Sequence, residues 1–290
     1  MSNTLTIGEL ISCATDQIAA LTPTPRLEAE LMLSHVLQRP RIKLIGYPEH
    51  QVDPHKYTLF LSLLERRKQR EPLSYLLGQR EFWGMSFTVT PDVLIPRPET
   101  ETLIESALRH VPTLDRPLRV LDLGTGSGVI AVAIATELKL LKRDFSLTAA
   151  DCSIAALKVA RTNWTRLVQG STAQFILSNW CQAFKAAPHF DLVLSNPPYI
   201  TDGDLTLAPE VLSEPQPALF SGIHGLDAIG ALLKQVPNIL SDSGVFLCEI
   251  GSSQREQVQS MIRSSSKFLQ SKFVQDLAGH PRVLIAKPAA

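Results

Sequence analysis

The chain has 290 residues, of which 44% are hydrophobic and 19% charged, the composition of an ordinary globular protein and not of a disordered or fibrous one. Its 28 basic and 28 acidic residues cancel. The balance also holds on both sides of Met85, with 10 basic against 9 acidic residues up to it and 18 against 19 beyond. A protein that depends mainly on phosphate contacts is therefore disfavoured. Cys13, Cys152, Cys181 and Cys248 are scattered, with no C-x-x-C pair, which excludes a zinc ribbon or a disulfide framework and suits a reducing cytosol. The N-terminal stretch carries Glu9 and Asp16 and lacks a cationic start, so it does not read as a secretory signal. The longest apolar run, Val129 to Ala135, is far short of a membrane span.

In chain order, the first eighty or so residues read as helices. Thr6-Ile-Gly-Glu9 is a capping box opening the apolar series Ile7, Leu10, Ile11, Ala14 and Ile18. Thr24-Pro25 starts a second helix, with Leu27, Leu31 and Ser34 beside Met32, Val36 and Leu37, and Asp53-Pro54 starts another before Tyr57, Phe60, Leu63 and Leu64. Four or five helices in a small bundle are expected. The basic run Arg66-Arg67-Lys68-Gln69-Arg70 reads as a solvated face at a helix C-terminus, with contact to a nucleic-acid-bearing partner as the alternative. Phe82 to Val89 changes to a period of two, and Val93 to Ile95 follows a Pro91-Asp92 turn, which predicts a connecting β-hairpin.

Beyond it strands alternate with helices. Strands are predicted at Leu118–Leu123, Ser146–Ala150, Gln174–Leu177, Asp191–Ser195 and Val245–Ile250, with helices near 127–138, 153–164 and 226–240. A last pair, Phe273–Leu277 and Val283–Ala286, has no helix between its members and is expected to be antiparallel. The result is an α/β chain: residues 1–81 a helical bundle, 82–97 a hairpin linker, and 98–290 a mixed, mostly parallel sheet closed by an antiparallel hairpin. Asn163-Trp164-Thr165 fits a glycosylation sequon by chance.

Two constellations carry chemistry. In Val120-Leu-Asp-Leu-Gly-Thr-Gly-Ser-Gly128 a buried strand runs into a glycine-rich turn and then a helix. Glycines there let the main chain approach a ligand beside the positive end of a helix, though a tight strand–helix turn alone has the same look. Asp151, at the end of the next strand, is placed to accept ribose hydroxyls, or else to cap the helix that begins near Ser153. Together they indicate a nucleoside-containing cofactor without saying which. The second constellation is an apolar strand ending in Asn196-Pro197-Pro198-Tyr199 at the carboxyl edge of the sheet. The prolines stiffen the turn and remove two donors. The Asn196 side-chain carbonyl and the Pro197 backbone carbonyl then suit a planar –NH2 group, with Tyr199 to stack on it.

D-x-G-T-G-S-G followed by N-P-P-Y resembles the S-adenosylmethionine-dependent methyltransferases that modify amide or exocyclic amino nitrogens. Further segments resemble those that mark the peptide chain release factor glutamine methyltransferases. They are Arg70–Gly78, Glu81–Gly84, Leu94-Ile-Pro-Arg-Pro-Glu-Thr-Glu101, Glu214-Pro215 with Ala218-Leu219, Gly222, Gly225-Leu226, and Asp276 to Arg282.

The resemblance implies a Rossmann-like class I methyltransferase domain at 98–290. The substrate it implies is the glutamine amide in the Gly-Gly-Gln motif of class I release factors. S-adenosyl-L-methionine would be the cofactor, with no metal, no nucleic acid required and no membrane, in a cytoplasmic monomer. By motif position Gly124, Thr125, Gly126, Ser127 and Gly128 would line the cofactor, Asp151 would hold its ribose, and Trp180 would pack near its adenine. Asn196, Pro197, Pro198 and Tyr199 would hold the substrate amide, Asn196 also facing the cofactor, and Asn196, Pro197 and Tyr199 would carry the catalysis. The helical bundle would recognise the protein partner. One departure is Asn179, where the family usually has an acidic residue; an amide there accepts from an adenine amino group without charge assistance. A base methyltransferase acting on nucleic acid and a non-catalytic nucleotide-binding module are the alternative functions.

Overall fold

In the computed structural model, which describes residues 5–288, the chain forms two compact units. One comprises residues up to Gln79 together with Ala208–Ser213, and the other Arg80–Leu207 with Glu214 onward.

The helical unit holds α1 (Ile7–Ile18), α2 (Pro25–Leu37), α3 (Arg41–Gly46), α4 (Pro54–Lys68) and α5 (Leu73–Leu77). The capping box is made in full: the Thr6 hydroxyl accepts from the Glu9 backbone N–H, and the Glu9 carboxylate accepts from the Thr6 N–H. Such a cap is worth about 1 kcal/mol. Asp53 caps α4 through the His55 and Lys56 N–H groups. The core joins Ile7, Leu10, Ala14 and Ile18 to Met32, Leu33, Phe60 and Leu64. Two expectations are corrected here. In α2 the buried face runs through Glu28, Ala29, Glu30, Met32, Leu33 and Val36, whereas Leu27 is exposed. The basic run is not simply a solvated face, because Arg67 is buried with its guanidinium on Glu28 and on Glu210 of the 208–213 segment. Arg70 also reaches Glu210, while Arg66 pairs with Glu71 and Lys68 with Glu65. Two buried or half-buried carboxylates flanking one helix-end arginine pull it inward.

The larger unit opens with β1 (Gln79–Phe82) and β2 (Met85–Thr88), a two-stranded hairpin. Its turn is Trp83-Gly84, both at positive φ; the expected Pro91-Asp92 turn does form, with the Val93 N–H donating to the Thr90 carbonyl, but Val93–Ile95 is not a strand. A two-residue hairpin turn of type I′ has positive φ at both central positions, and Gly84 supplies it without strain. Nor is the hairpin a bare linker. Asn163, fully buried, accepts from the Thr88 N–H and donates to the Thr88 and Ser127 carbonyls. Burial of Asn163 also disposes of the sequon.

There follow α6 (Glu101–Arg109), β3 (Leu118–Leu123), α7 (Val129–Leu140), β4 (Phe145–Asp151), α8 (Ile154–Leu167), β5 (Ala173–Leu177), β6 (Phe190–Ser195), α9 (Asp227–Gln235), β7 (Leu240–Glu249), α10 (Arg255–Ser265), β8 (Phe268–Gln275) and β9 (Pro281–Pro288). They build a seven-stranded sheet in the order β5-β4-β3-β6-β7-β9-β8. The first five strands in that order pair in parallel, and β9 is antiparallel to both β7 and β8, as expected of a mixed sheet closed by a hairpin. The central strands are buried on both faces. Val120, Leu192, Leu194 and Leu247 pack on the side of α6 and α7, and Leu121, Val193 and Phe246 on the side of α9 and α10. The sequence reading placed no helix at α6 or α10. It also extended α9 to 240, whereas the helix ends at Gln235 and gives way to a short 3₁₀ turn containing Pro237.

Candidate active site

The chain leaves β3 toward β4 on one side and later returns to β6 on the other. Such a reversal opens a crevice at the carboxyl ends of the strands. A cavity of about 620 Å³ lies there, and its lining includes Gly124, Thr125, Gly126, Ser127, Asp151, Trp180 and Asn196. The glycine loop is shaped by backbone need. Gly124, Gly126 and Gly128 all have positive φ, and a Cβ on Gly124 would stand 3.4 Å from the Trp180 ring. The indole packs closely on the bare backbone there, and both residues line the cavity. Gly128 does not reach the cavity. It begins α7, and a Cβ there would meet Ala160 at 3.1 Å, so its service is close packing of α7 on α8.

Asp151 ends β4 with both carboxylate oxygens engaged, Oδ2 accepting from the Gly126 N–H and Oδ1 from the Ser153 N–H. Asp151 is thus not the cap of α8; it braces the turn into that helix and lines the cavity with spare lone pairs. Ser153 itself caps α8 through the Ala156 N–H. Asn179 also lines the cavity. A cavity lined by bare glycine backbone, an indole and a carboxylate suits an adenosine moiety. The residues present therefore fit a nucleoside cofactor.

Asp122, two residues before the loop, is wholly buried. Its Oδ2 accepts from the Thr125 hydroxyl and the Ala131 N–H, while Oδ1 has no partner. Burial pushes its carboxyl up to about 7, against the pull of those two bonds. It ties the loop to α7 from behind.

At the end of β6, Asn196 and Pro198 line the cavity, and Pro197 and Tyr199 do not. The Asn196 Nδ2 donates to the Thr100 hydroxyl at 3.0 Å, which leaves its Oδ1 without a protein partner among the described residues. No backbone hydrogen bond from the described residues ends on the Pro197 carbonyl. Tyr199 lines a neighbouring groove, and its hydroxyl donates to Glu249 at 3.3 Å. Burial, followed by the Glu249 charge, raises the Tyr199 phenol well above its ordinary value.

The turn after Tyr199 is held by Gln254, whose Nε2 donates to the Tyr199 and Gly225 carbonyls. A Cβ on Gly225 would fall 2.3 Å from the Tyr199 carbonyl oxygen, which is why glycine stands there. Glu214 is buried and accepts from the Ile95 N–H and from Arg97, clamping two motif segments together.

Sequence reasoning missed Glu249. It ends β7 fully buried, and Oε2 accepts from the Thr100 hydroxyl at 2.7 Å. Burial pushes its carboxyl up to about 7, with the Thr100 bond, Arg282 and Tyr199 pulling the other way. The signal was present, since an acid follows the apolar run Val245–Cys248 at the carboxyl edge of the sheet.

A doubly covered mixed sheet with a glycine loop, a carboxylate at the end of the neighbouring strand and an Asn-Pro-Pro-Tyr turn defines a nitrogen-directed methyltransferase. The profile described as PrmC N-terminal domain matches residues 9–78, and that described as methyltransferase small domain matches 102–222. Among relatives named release factor glutamine methyltransferase, that of Coxiella burnetii is 38% identical across 98% of this chain and 99% of its own length. That of Koribacter versatilis is 40% identical over 93% of each, and that of Vibrio cholerae 37% identical over 98% and 97%. The chain belongs to the release factor glutamine methyltransferase family.

Solved structures at lower identity share the fold. The catalytic domain of hMettl16, in complex with an RNA hairpin, superposes with a TM-score of 0.53 at 14% identity over 79% of this chain and 82% of its own. A T. thermophilus 16S rRNA N2 methyltransferase in complex with AdoMet and guanosine gives 0.52 at 19% identity, over 73% and 50%. Among the described residues no helix is long and apolar enough to cross a membrane.

Proposed function

We propose that the chain transfers the methyl group of S-adenosyl-L-methionine to the side-chain amide nitrogen of the glutamine in the Gly-Gly-Gln motif of class I peptide chain release factors, supporting translation termination in the cytosol. The observation that carries this reading is a pair of carbonyl acceptors without partners among the described residues, Asn196 Oδ1 on a residue that lines the cavity and Pro197 O on the next residue of the same turn. The loop from Gly124 to Ser127 and Trp180 would enclose the cofactor's adenosine, and the Asp151 carboxylate would take its ribose hydroxyls. When bound, the cofactor supplies an electrophilic methyl group.

An amide nitrogen is a weak nucleophile because its lone pair is shared with the carbonyl. The two acceptors bind both N–H bonds of the substrate amide, turn the nitrogen toward the methyl, and offset the positive charge that develops there. Orientation of this kind supplies up to several kcal/mol. Asn196 is neutral and takes no proton, and the methylated nitrogen is acidic enough to release one to water. Tyr199 is assigned a different task from stacking: it buttresses the turn through Glu249. The four free thiols suit a cytosolic location.

The helical unit recognises the protein substrate, a reading supported by its match to a family-specific domain. A Gly-Gly-Gln loop alone offers little surface for specificity. The test is mass analysis of the Gly-Gly-Gln peptide after incubation of a release factor with the purified chain and cofactor. A gain of one methyl on the glutamine is expected. Label appearing on nucleic acid and not on release factor overturns the reading. Full methylation by a folded truncation lacking residues 1–80 removes the recognition role.

A further inference from the structure

Glu249 lies on the same face of β7 as Leu247, toward the N-terminus of α6 where Thr100 stands. Its two oxygens are engaged by hydroxyls, Oε2 by Thr100 and Oε1 by Tyr199, and no cationic group bonds to it among the described residues. The charges acting on it are Arg282 on β9, which favours its ionised form, and Glu99 before α6, which opposes it. Arg97 acts on Tyr199.

A threonine hydroxyl has one proton to give. While Thr100 donates to Glu249, its oxygen can only accept, and it accepts from Asn196 Nδ2. The Asn196 amide is thereby turned with –NH2 toward the protein and Oδ1 left for a ligand. A carboxylate at 249 permits only this polarity, since it has no proton to give. A neutral carboxylic acid can donate instead. Thr100 can then donate to Asn196, whose amide would turn end for end and present –NH2 to the –NH2 of the substrate, a pairing that cannot form.

We propose that Glu249 is a positioning residue of the methyl transfer, fixing through the Thr100 hydroxyl which edge of the Asn196 amide faces the substrate. This rests on Asn196 being the acceptor of the substrate amide, as proposed above.

The relay is read first without substrate. In the full chain labelled with ¹⁵N at asparagine, the Asn196 side-chain –NH2 signal is expected to shift as pH passes about 7, where Glu249 titrates. In Thr100→Val and in Glu249→Gln that shift disappears. Turnover on release factor is the second readout. Thr100→Val is expected to lose about tenfold in kcat, the worth of one hydrogen bond, with cofactor affinity and KM held, and Thr100→Ser to recover most of the loss.

The wild-type kcat should fall as pH drops through about 7. Glu249→Gln lacks that limb, because a glutamine can accept from Thr100 and donate to Tyr199 without titrating. An Asn196 signal that titrates unchanged in both variants, or a Thr100→Val enzyme with wild-type kcat, overturns the proposal. A relay seen by resonance in a chain that methylates no glutamine supports the positioning and overturns the proposed substrate.

Discussion

The two ends of the central sheet each bury a carboxylate, and they treat it in opposite ways. Asp191 sits near the amino end of β6 and Glu249 at the carboxyl end of β7, both with no exposed surface. Around Asp191 stand two guanidiniums, Arg116 and Arg119, the Arg119 N–H and the Ser241 hydroxyl. Burial alone would raise its carboxyl, but those bonds outweigh it and hold it far below the usual carboxylate range. Around Glu249 only hydroxyls bond among the described residues, and its carboxyl is pushed up to about 7. The charge at one edge is locked and works as a structural pin joining β3, β6 and β7. The charge at the other edge can change near neutrality, and it lies one hydroxyl away from the residue proposed to hold the substrate. Equal burial therefore says little about a carboxylate until its partners are known.

The largest effect is expected from Asp191→Asn. Removing the charge takes the charge-assisted bonds away from two partly exposed arginines and the Ser241 hydroxyl, a loss of about 3 kcal/mol, readable as a lower urea midpoint. Because the folded carboxyl titrates below the unfolded one, its stabilisation is present above about pH 4 and is lost as acid is added. Loss of methyl transfer per folded molecule in this variant would contradict a purely structural amino edge. Next in size is Asn196→Ala at the opposite edge. It is expected to lower turnover by about a hundredfold while cofactor affinity by calorimetry stays near wild type. Nearly normal turnover would take Asn196 out of the mechanism.

The amino-acid sequence already carried the sheet, its switch point and the glycine loop, because these depend on local signals: apolar runs, turn glycines and strand–helix alternation. The mixed closing hairpin was legible for the same reason. What the sequence did not carry was mostly non-local. The turn at Trp83-Gly84 hides behind an aromatic residue at positive φ, where Asn-Gly would have announced it. α10 buries only Val258 and Ile262, so its apolar stripe is too thin to stand out. Arg67 looked like a surface cation and is drawn inward by Glu28 and by Glu210, 143 residues away. At the candidate site the motif residues fell into place around one cavity except Gly128, Pro197 and Tyr199. Thr100 and Glu249 meet across 149 residues of sequence, and no spacing rule links them.

The smallest expected effect separates the two carboxylates most cleanly. Glu249 titrates higher folded than unfolded, so the folded state binds more protons between about pH 4.3 and 7. Its neutral form is therefore favourable to folding, and stability is lost as pH rises through that window. Glu249→Gln removes the cost of ionising a buried acid while keeping both hydroxyl partners. The variant should then gain about 1–3 kcal/mol over wild type near pH 8, measured by urea unfolding, and about nothing near pH 4, where both side chains are neutral. Asp191→Asn behaves in the opposite sense, losing most at pH 8 and least in acid. A Glu249→Gln chain that is less stable than wild type at pH 8 would mean that the carboxylate is held as firmly as Asp191, and the contrast between the two edges would fail. A gain at pH 8 accompanied by loss of the acid limb in kcat would tie one ionisation to both fold and turnover: the enzyme would carry an unfavourable buried charge at working pH because that charge keeps the Asn196 amide turned the right way.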